Sequence, residues 1–91
     1  MIIKHSEEGD NGVFYIEENG QLLAEMTYQK DNESMVVDHT QVDESLQGKN
    51  VGFELVEKGV EYAREANLRM VPVCEFAKAV IEKTKKFQDV L

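Results

Sequence analysis

Between Gly12 and His39 apolar and polar residues alternate in short runs, the pattern of strands that bury one face. Val13-Phe14-Tyr15-Ile16 ends at Glu18-Asn19-Gly20, and Gln21 to Tyr28 resumes the alternation. An Asn-Gly pair between two such runs supplies the positive backbone angles of a tight hairpin. A second turn at Asp31-Asn32-Glu33 precedes Ser34 to Thr40, giving a three-stranded antiparallel meander to which Met1 to His5 adds an edge. The period then changes. From Asn50 to Ala66, Leu55, Val56, Val60 and Ala63, with Gly59 among them, form one stripe, while Glu54, Glu57, Lys58, Glu61, Arg64 and Glu65 take the other face, so this is the longest helix. Asn67 suits its left-handed cap, and Leu68 to Val73 reads as a short strand that Pro72 leaves unpaired on one side. A second helix follows with Phe76, Ala77, Val80 and Ile81 inward and Lys78, Glu82 and Lys83 outward, and Phe87, Val90 and Leu91 fold back as a closing segment. Strands, helix, strand, helix is the order of an α+β sheet with helices against its faces.

Residues 1–91 have room for one domain. The 42% apolar share suffices for a core, and a monomer is expected. The single cysteine, Cys74, has no partner for an internal disulfide. Met1 to His5 turns polar too soon for a signal-peptide core or a membrane span, so a cytoplasmic protein without membrane contact is expected. A net charge of -8 opposes attraction to phosphate backbones, which argues against a nucleic-acid partner. Its distribution is uneven. Residues 1 to 48 sum to -9 and residues 49 to 91 to +1, so a small anion would be drawn to the second half, where Lys49, Lys78, Lys83, Lys85 and Lys86 lie. The same lysines also fit ordinary solvated helix faces.

Leu46-Gln47-Gly48-Lys49-Asn50-Val51-Gly52 joins a strand to a helix, where backbone amides and the helix dipole converge on an anion. Diphosphate is the natural guest. The spacing is not that of the ATP-type P-loop, because no Ser or Thr follows Lys49, and the Gly-x-Gly-x-x-Gly of dinucleotide folds is absent. A plain strand-to-helix turn also accounts for the loop. Two histidines and one cysteine, widely separated, do not have the spacing of a metal site.

Asp38-His39-Thr40-Gln41-Val42 followed by Leu46 to Val56 resembles the GNAT superfamily of acyl-coenzyme A dependent N-acetyltransferases, whose Gln/Arg-x-x-Gly-x-Gly/Ala loop binds the coenzyme pyrophosphate. Gln47, Val51 and Gly52 fit that pattern, whereas Asn50 stands at the central glycine position, where Asn is the side chain that best tolerates positive backbone angles. The His39-Thr40 pair, Val71-Pro72-Val73-Cys74 and the Phe76-to-Leu91 ending resemble the minimal, single-domain branch of that family. The resemblance implies a GNAT-like fold whose sheet splays between the His39 strand and the Val71 strand, with the pantetheine arm of acetyl-coenzyme A in the opening. It assigns coenzyme contacts to Thr40, Gln41, Val42, Gln47, Gly48, Asn50, Val51 and Gly52, and by their charge Lys49, Lys78, Lys83 and Lys85 are candidate contacts to the coenzyme phosphates.

Acetyl transfer from a thioester needs a polarised carbonyl, a deprotonated nucleophile and a proton for the leaving thiolate. The resemblance gives the first task to backbone amides near Thr40 to Val42. Histidine is the side chain suited to base chemistry near neutral pH, so His39 is a candidate base, or is a strand histidine satisfied by a neighbour. Cys74, before a helix whose dipole favours a thiolate, is an acyl acceptor, a proton donor to coenzyme A, or a small core residue. Two functions follow: an acetyltransferase acting on an unidentified amine or thiol, or a non-catalytic module that binds acyl-coenzyme A.

Overall fold

The computed structural model describes all 91 residues, Met1–Leu91. Its elements, in chain order, are β1 (Lys4–Glu8), β2 (Asn11–Glu18), β3 (Gln21–Lys30), β4 (Ser34–Val42), a single 3-10 turn (Glu44–Leu46), α1 (Val51–Ala66), β5 (Arg69–Pro72), α2 (Glu75–Lys83) and a closing 3-10 segment (Lys85–Val90). Local chemistry sets the turns. Asn19 and Gly20 both have positive φ, 53° and 76°, the backbone that a two-residue hairpin requires. At the next turn the Asp31 carboxylate accepts hydrogen bonds from the amides of Glu33 (2.8 Å) and Ser34 (2.7 Å).

The sheet order is β1-β2-β3-β4-β5, antiparallel except for the parallel β4–β5 pair. The edge strand lies at Lys4–Glu8, later than the Met1-to-His5 stretch expected, and β5 stops at Pro72, leaving Val73 exposed. The amides of Arg69 and Val73 donate to Glu33 and Val37 carbonyls. Residue 72 therefore turns its amide position outward, and proline leaves no donor there for a further strand.

All helical segments pack on one face. Phe14 and Ile16 of β2, Ala24, Met26 and Tyr28 of β3, Met35 and Val37 of β4 and Met70 of β5 are buried with Leu55, Val56, Val60 and Ala63 of α1, Ala77 and Ile81 of α2, and Phe87 and Val90. The α1 stripe is thus the one the periodicity predicts. Gly59 sits where a Cβ would lie 2.6 Å from Met26 Cε, with the Met70 and Met35 methyls just beyond. Its bare backbone lets the tips of three methionines, one from each of three strands, press against the middle of α1. Asn67 closes the helix in the left-handed conformation (φ 57°), its amide donating to Ala63 and Arg64 carbonyls.

Two expected core residues are not core. Phe76 is 44% exposed and Leu91 47% exposed, because the buried stripe of α2 centres on Ala77 and Ile81 and that of the closing segment on Phe87 and Val90. The tyrosines also divide. Tyr28 is buried, and its hydroxyl donates to Glu7 Oε2 at 2.5 Å and lies 2.5 Å from His5 Nε2. Tyr62 of α1 donates to the same carboxylate, and Lys30 Nζ donates to Glu7 Oε1 (3.2 Å) and to the Tyr62 hydroxyl (2.9 Å). This network ties edge strand β1 to β3 and to the C-terminal half of α1. Hydrogen bonds from Tyr28, then Tyr62 and Lys30, hold the Glu7 carboxyl down to about 2.

Because the folded chain lowers this pKa from the ordinary carboxylate value, its stabilisation is full above about 4.5 and is lost as pH falls toward about 2. Glu7→Ala should cost on the order of 1–3 kcal/mol near neutral pH, the scale of hydrogen bonds to a charged group. Denaturant unfolding should show the parent and variant converging as the pH is lowered through that window; a constant difference would contradict the network.

Candidate functional site

The parallel ladder between β4 and β5 is only four pairs long, from Ser34 with Arg69 to Val37 with Pro72. The amides of Val73 and Cys74 both close on the Val37 carbonyl at 3.0 Å, and the chain then leaves the sheet for α2. β4 continues to Val42 with β3 as its only partner, so its other edge from Asp38 onward has no strand beside it. A bulge coincides with this parting. Thr27 pairs with His39 and Tyr28 with Val37, so Asp38 is the extra residue, its carboxylate taking the Thr27 hydroxyl at 2.5 Å.

The bulge decides which side chains enter the opening. Without it, His39 would share the helix-covered face with Met35 and Val37, because side chains alternate along a strand. With it, His39 turns to the open face, where its side chain is 51% exposed and Nε2 lies 3.6 Å from Glu25 Oε2 and 3.4 Å from Gln41 Oε1. Thr40 and Val42 turn instead toward α1 and α2.

Beyond β4, the Asp43 carboxylate accepts from the Ser45 amide at 2.9 Å and starts the 3-10 turn, and Gln47 Nε2 donates back to the Val42 carbonyl at 3.2 Å. Gly48 (φ 78°) and Asn50 (φ 64°) are both left-handed, so Asn50 supplies the backbone that a glycine would. Asn50 makes no side-chain cap, and the first helical amide hydrogen bond runs from Glu54 to the Asn50 carbonyl (3.1 Å). The amides of Val51, Gly52 and Phe53 thus have no acceptor within a sixteen-residue helix, and its positive dipole end points the same way.

A cleft of about 670 Å³ runs between this helix start and α2. Thr40, Val42 and Leu46 form one side, Gln47, Gly48, Asn50, Val51, Gly52 and Phe53 the end, and Phe76 and Val80 the wall on α2. Of the residues singled out in the sequence, Thr40, Val42, Gln47, Gly48, Asn50, Val51 and Gly52 are brought together here. Gln41 lies instead at a smaller pocket beside Leu23 and Glu25. Lys49, Lys78 and Lys83 are exposed and outside the lining, with Lys83 at the far end of α2 from Cys74. Phe76 and Val80 are lining residues that the periodicity assigned to the core. Their mark in the sequence is position, on the helix immediately after Cys74.

Cys74 is the N-cap residue of α2, partly buried, with its thiol 3.5 Å from the Thr40 hydroxyl across the gap between the strands. Burial pushes the thiol up, but the Ala77 amide, the Thr40 hydroxyl and the Phe76 amide together outweigh it and hold the thiol below its ordinary value. Glu75 is the acidic residue in the first turn of the same helix. Cys74 is not among the lining residues: its thiol adjoins the cleft through Thr40, while the uncapped start of α1 closes the cleft's end and Phe76 and Val80 form an apolar wall. Thiol and helix start together suit a long ligand with an anionic group at one end and a thioester or other electrophile at the other.

A lowered thiol pKa means a larger thiolate fraction at neutral pH. Cys74 should be alkylated by iodoacetamide with a pH midpoint below that of a free thiol, and Thr40→Val should raise that midpoint. A midpoint at or above the free-thiol value would show that burial dominates.

A family model described as GCN5-related N-acetyl-transferase matches residues 13–90. The NMR solution structure of a GCN5-like protein from Staphylococcus aureus is 38% identical, with a TM-score of 0.73 over 96% of this chain and 85% of that one. Ribosomal-protein-alanine N-acetyltransferase from Brucella melitensis shares the fold at 18% identity, TM-score 0.67, over 85% of this chain and 64% of that one. A GNAT family acetyltransferase from Elizabethkingia anophelis, solved with acetyl-CoA bound, does so at 15% identity, TM-score 0.59, over 70% of this chain and 43% of that one. No curated protein gives a significant match. No helix is long and apolar enough to cross a membrane. With its family match spanning nearly the whole chain and its sheet splayed in the manner the resemblance implies, the protein belongs to the GCN5-related N-acetyltransferase family.

Proposed function

We propose that the chain is a cytoplasmic acetyltransferase that takes its acetyl group from acetyl-coenzyme A and passes it to an amine or thiol. The observation that carries the reading is the uncapped start of α1 at the end of the cleft, with the Cys74 thiol just outside the lining, 3.5 Å from the hydroxyl of the lining residue Thr40. The free amides of Val51, Gly52 and Phe53 receive the coenzyme diphosphate. Lys49, the only base within the loop, lends positive potential from the surface without a direct contact. The unpaired edge of β4 from Thr40 to Val42 offers backbone groups to the extended arm and its thioester carbonyl.

Cys74 then acts as nucleophile. Its thiolate attacks the thioester carbon, the bond from that carbon to the coenzyme sulfur breaks, and the coenzyme thiolate leaves and takes a proton from water. The acceptor's lone pair displaces Cys74 in a second transfer that returns the thiolate and releases a proton. His39 has no place in the cleft itself. On the open face beside Glu25 it is positioned as a base for an acceptor that approaches from that side.

A second reading, a module that binds acyl-coenzyme A without turnover, is favoured by one observation: none of the eleven residues lining the cleft has a titratable side chain, Cys74 standing just outside them. Mass spectrometry separates the two. Incubation with acetyl-coenzyme A should add one acetyl group at Cys74 that a panel of amines discharges, whereas Cys74→Ala should bind coenzyme as the parent does and form no adduct. Coenzyme at 100 times Kd should raise stability by roughly 2.7 kcal/mol in both proteins. Stabilisation without adduct or turnover would select the binding module, and a melting temperature indifferent to coenzyme would reject both.

A further inference from the structure

The sheet has two outer edges. At β5 the outward row of main-chain groups is broken at Pro72, which has no amide to donate. At the other end β1 pairs with β2 alone, so the groups of Lys4–Glu8 that point away from β2 have no strand beside them, and all five residues are exposed. Such a row is a template for another strand unless its side chains forbid one, and charges on an edge ordinarily do. Here their order matters. Lys4-His5-Ser6-Glu7-Glu8 runs from base to acid about a central serine. His5 is stacked on the buried Phe14 opposite it, at 4.1 Å between ring centres, so His5 and Glu7 take the helix side and Lys4, Ser6 and Glu8 the open face. Neither Lys4 nor Glu8 takes part in an ion pair within the chain.

We propose that β1 is the surface through which two copies of this chain join, edge to edge and antiparallel about a two-fold axis at Ser6, into one continuous sheet. A two-fold axis between antiparallel neighbours stands normal to the sheet, so each face of one copy continues as the same face of the other. Centred on Ser6, the strands overlap in full. On the open face Lys4 of each copy then meets Glu8 of the other, and on the helix side His5 of each meets Glu7 of the other. A shift of the centre to His5 or Glu7 shortens the overlap and sets like against like, His5 on His5 or Glu7 on Glu7. The helix-side row is ordered before any partner arrives, because Tyr28 holds both His5 and Glu7, and Tyr62 and Lys30 hold Glu7, within each copy. This replaces the monomer expected of the sequence with a weak dimer, since a five-residue edge is smaller than a stable interface; its Kd lies between roughly 10 µM and 1 mM. The inference rests on β1 and is independent of the coenzyme reading.

Sedimentation equilibrium of the full chain tests it, at physiological salt, where a screening length of about 8 Å keeps the net charges of the two copies from holding them apart. The parent should rise from 10.4 kDa when dilute toward twice that mass near about 1 mM. Lys4→Glu sets acid against acid and Glu8→Lys sets base against base, so each variant alone should associate about tenfold more weakly or worse. An equimolar mixture of the two should associate as the parent does, because one copy then carries only acids at these positions and the other only bases. Both side chains are exposed and unpaired, so the dilute variants should melt within a few degrees of the parent. A mass of 10.4 kDa throughout the range would overturn the proposal. So would a dimer that both single variants keep, or a mixture that associates no better than its components.

Discussion

The short reach of the β4–β5 ladder is the constraint on which the rest of the molecule depends. Four parallel pairs hold the strands together, and then three local events end the pairing at one level: the bulge at Asp38, proline at position 72, and the departure of the chain after Cys74. Had β5 run on alongside Thr40 to Val42, the edge of β4 would be satisfied and there would be no opening to line. Because it does not, unpaired backbone and the start of a helix face one space, and a thiol adjoins it through Thr40.

That space keeps its shape because α1 is fixed elsewhere. The methionine tips from β3, β4 and β5 meet the helix at Gly59, while the Glu7 network holds its C-terminal half to the edge strand. Neither anchor lies at the cleft. The helix start can therefore remain without a side-chain cap, a local cost offset by burial along the next three turns. The division separates two roles: stability resides in the sheet and the middle of α1, and the helix end is left with free amides. The two exposed features of the cleft, the Phe76 ring and the loop amides, are the groups whose burial a ligand would complete.

Most of the scaffold could be read from the chain because its signals are local. The Asn19-Gly20 turn, the α1 stripe and the Asn67 cap each rest on a few adjacent residues and on periodicities that tertiary contacts do not alter. The loop from Gln47 to Gly52 was legible for the same reason. What could not be read were the consequences of breaking a period. A bulge inserts one residue without any mark in the pattern, so the facing of His39 and Thr40 depends on whether Asp38 is counted in the ladder. Phe76 failed differently. A helical stripe identifies apolar side chains, but whether the one at its margin meets core or cleft is set by how far β4 and β5 diverge, which is a non-local property.

The central claim is that the opening between β4 and β5, closed at one end by the start of α1, is the coenzyme site. Titration of isotopically labelled protein with acetyl-coenzyme A, followed through its backbone amide resonances, tests it most directly. The amides of Thr40 to Val42, Gln47 to Phe53 and Cys74 to Ala77 should shift together along one binding curve, with those of Val51, Gly52 and Phe53 moving furthest, while His5, Glu7 and Tyr62 stay in place. Shifts confined to the open face of the sheet or to the β1 edge, with the α1 start unmoved, would contradict the account.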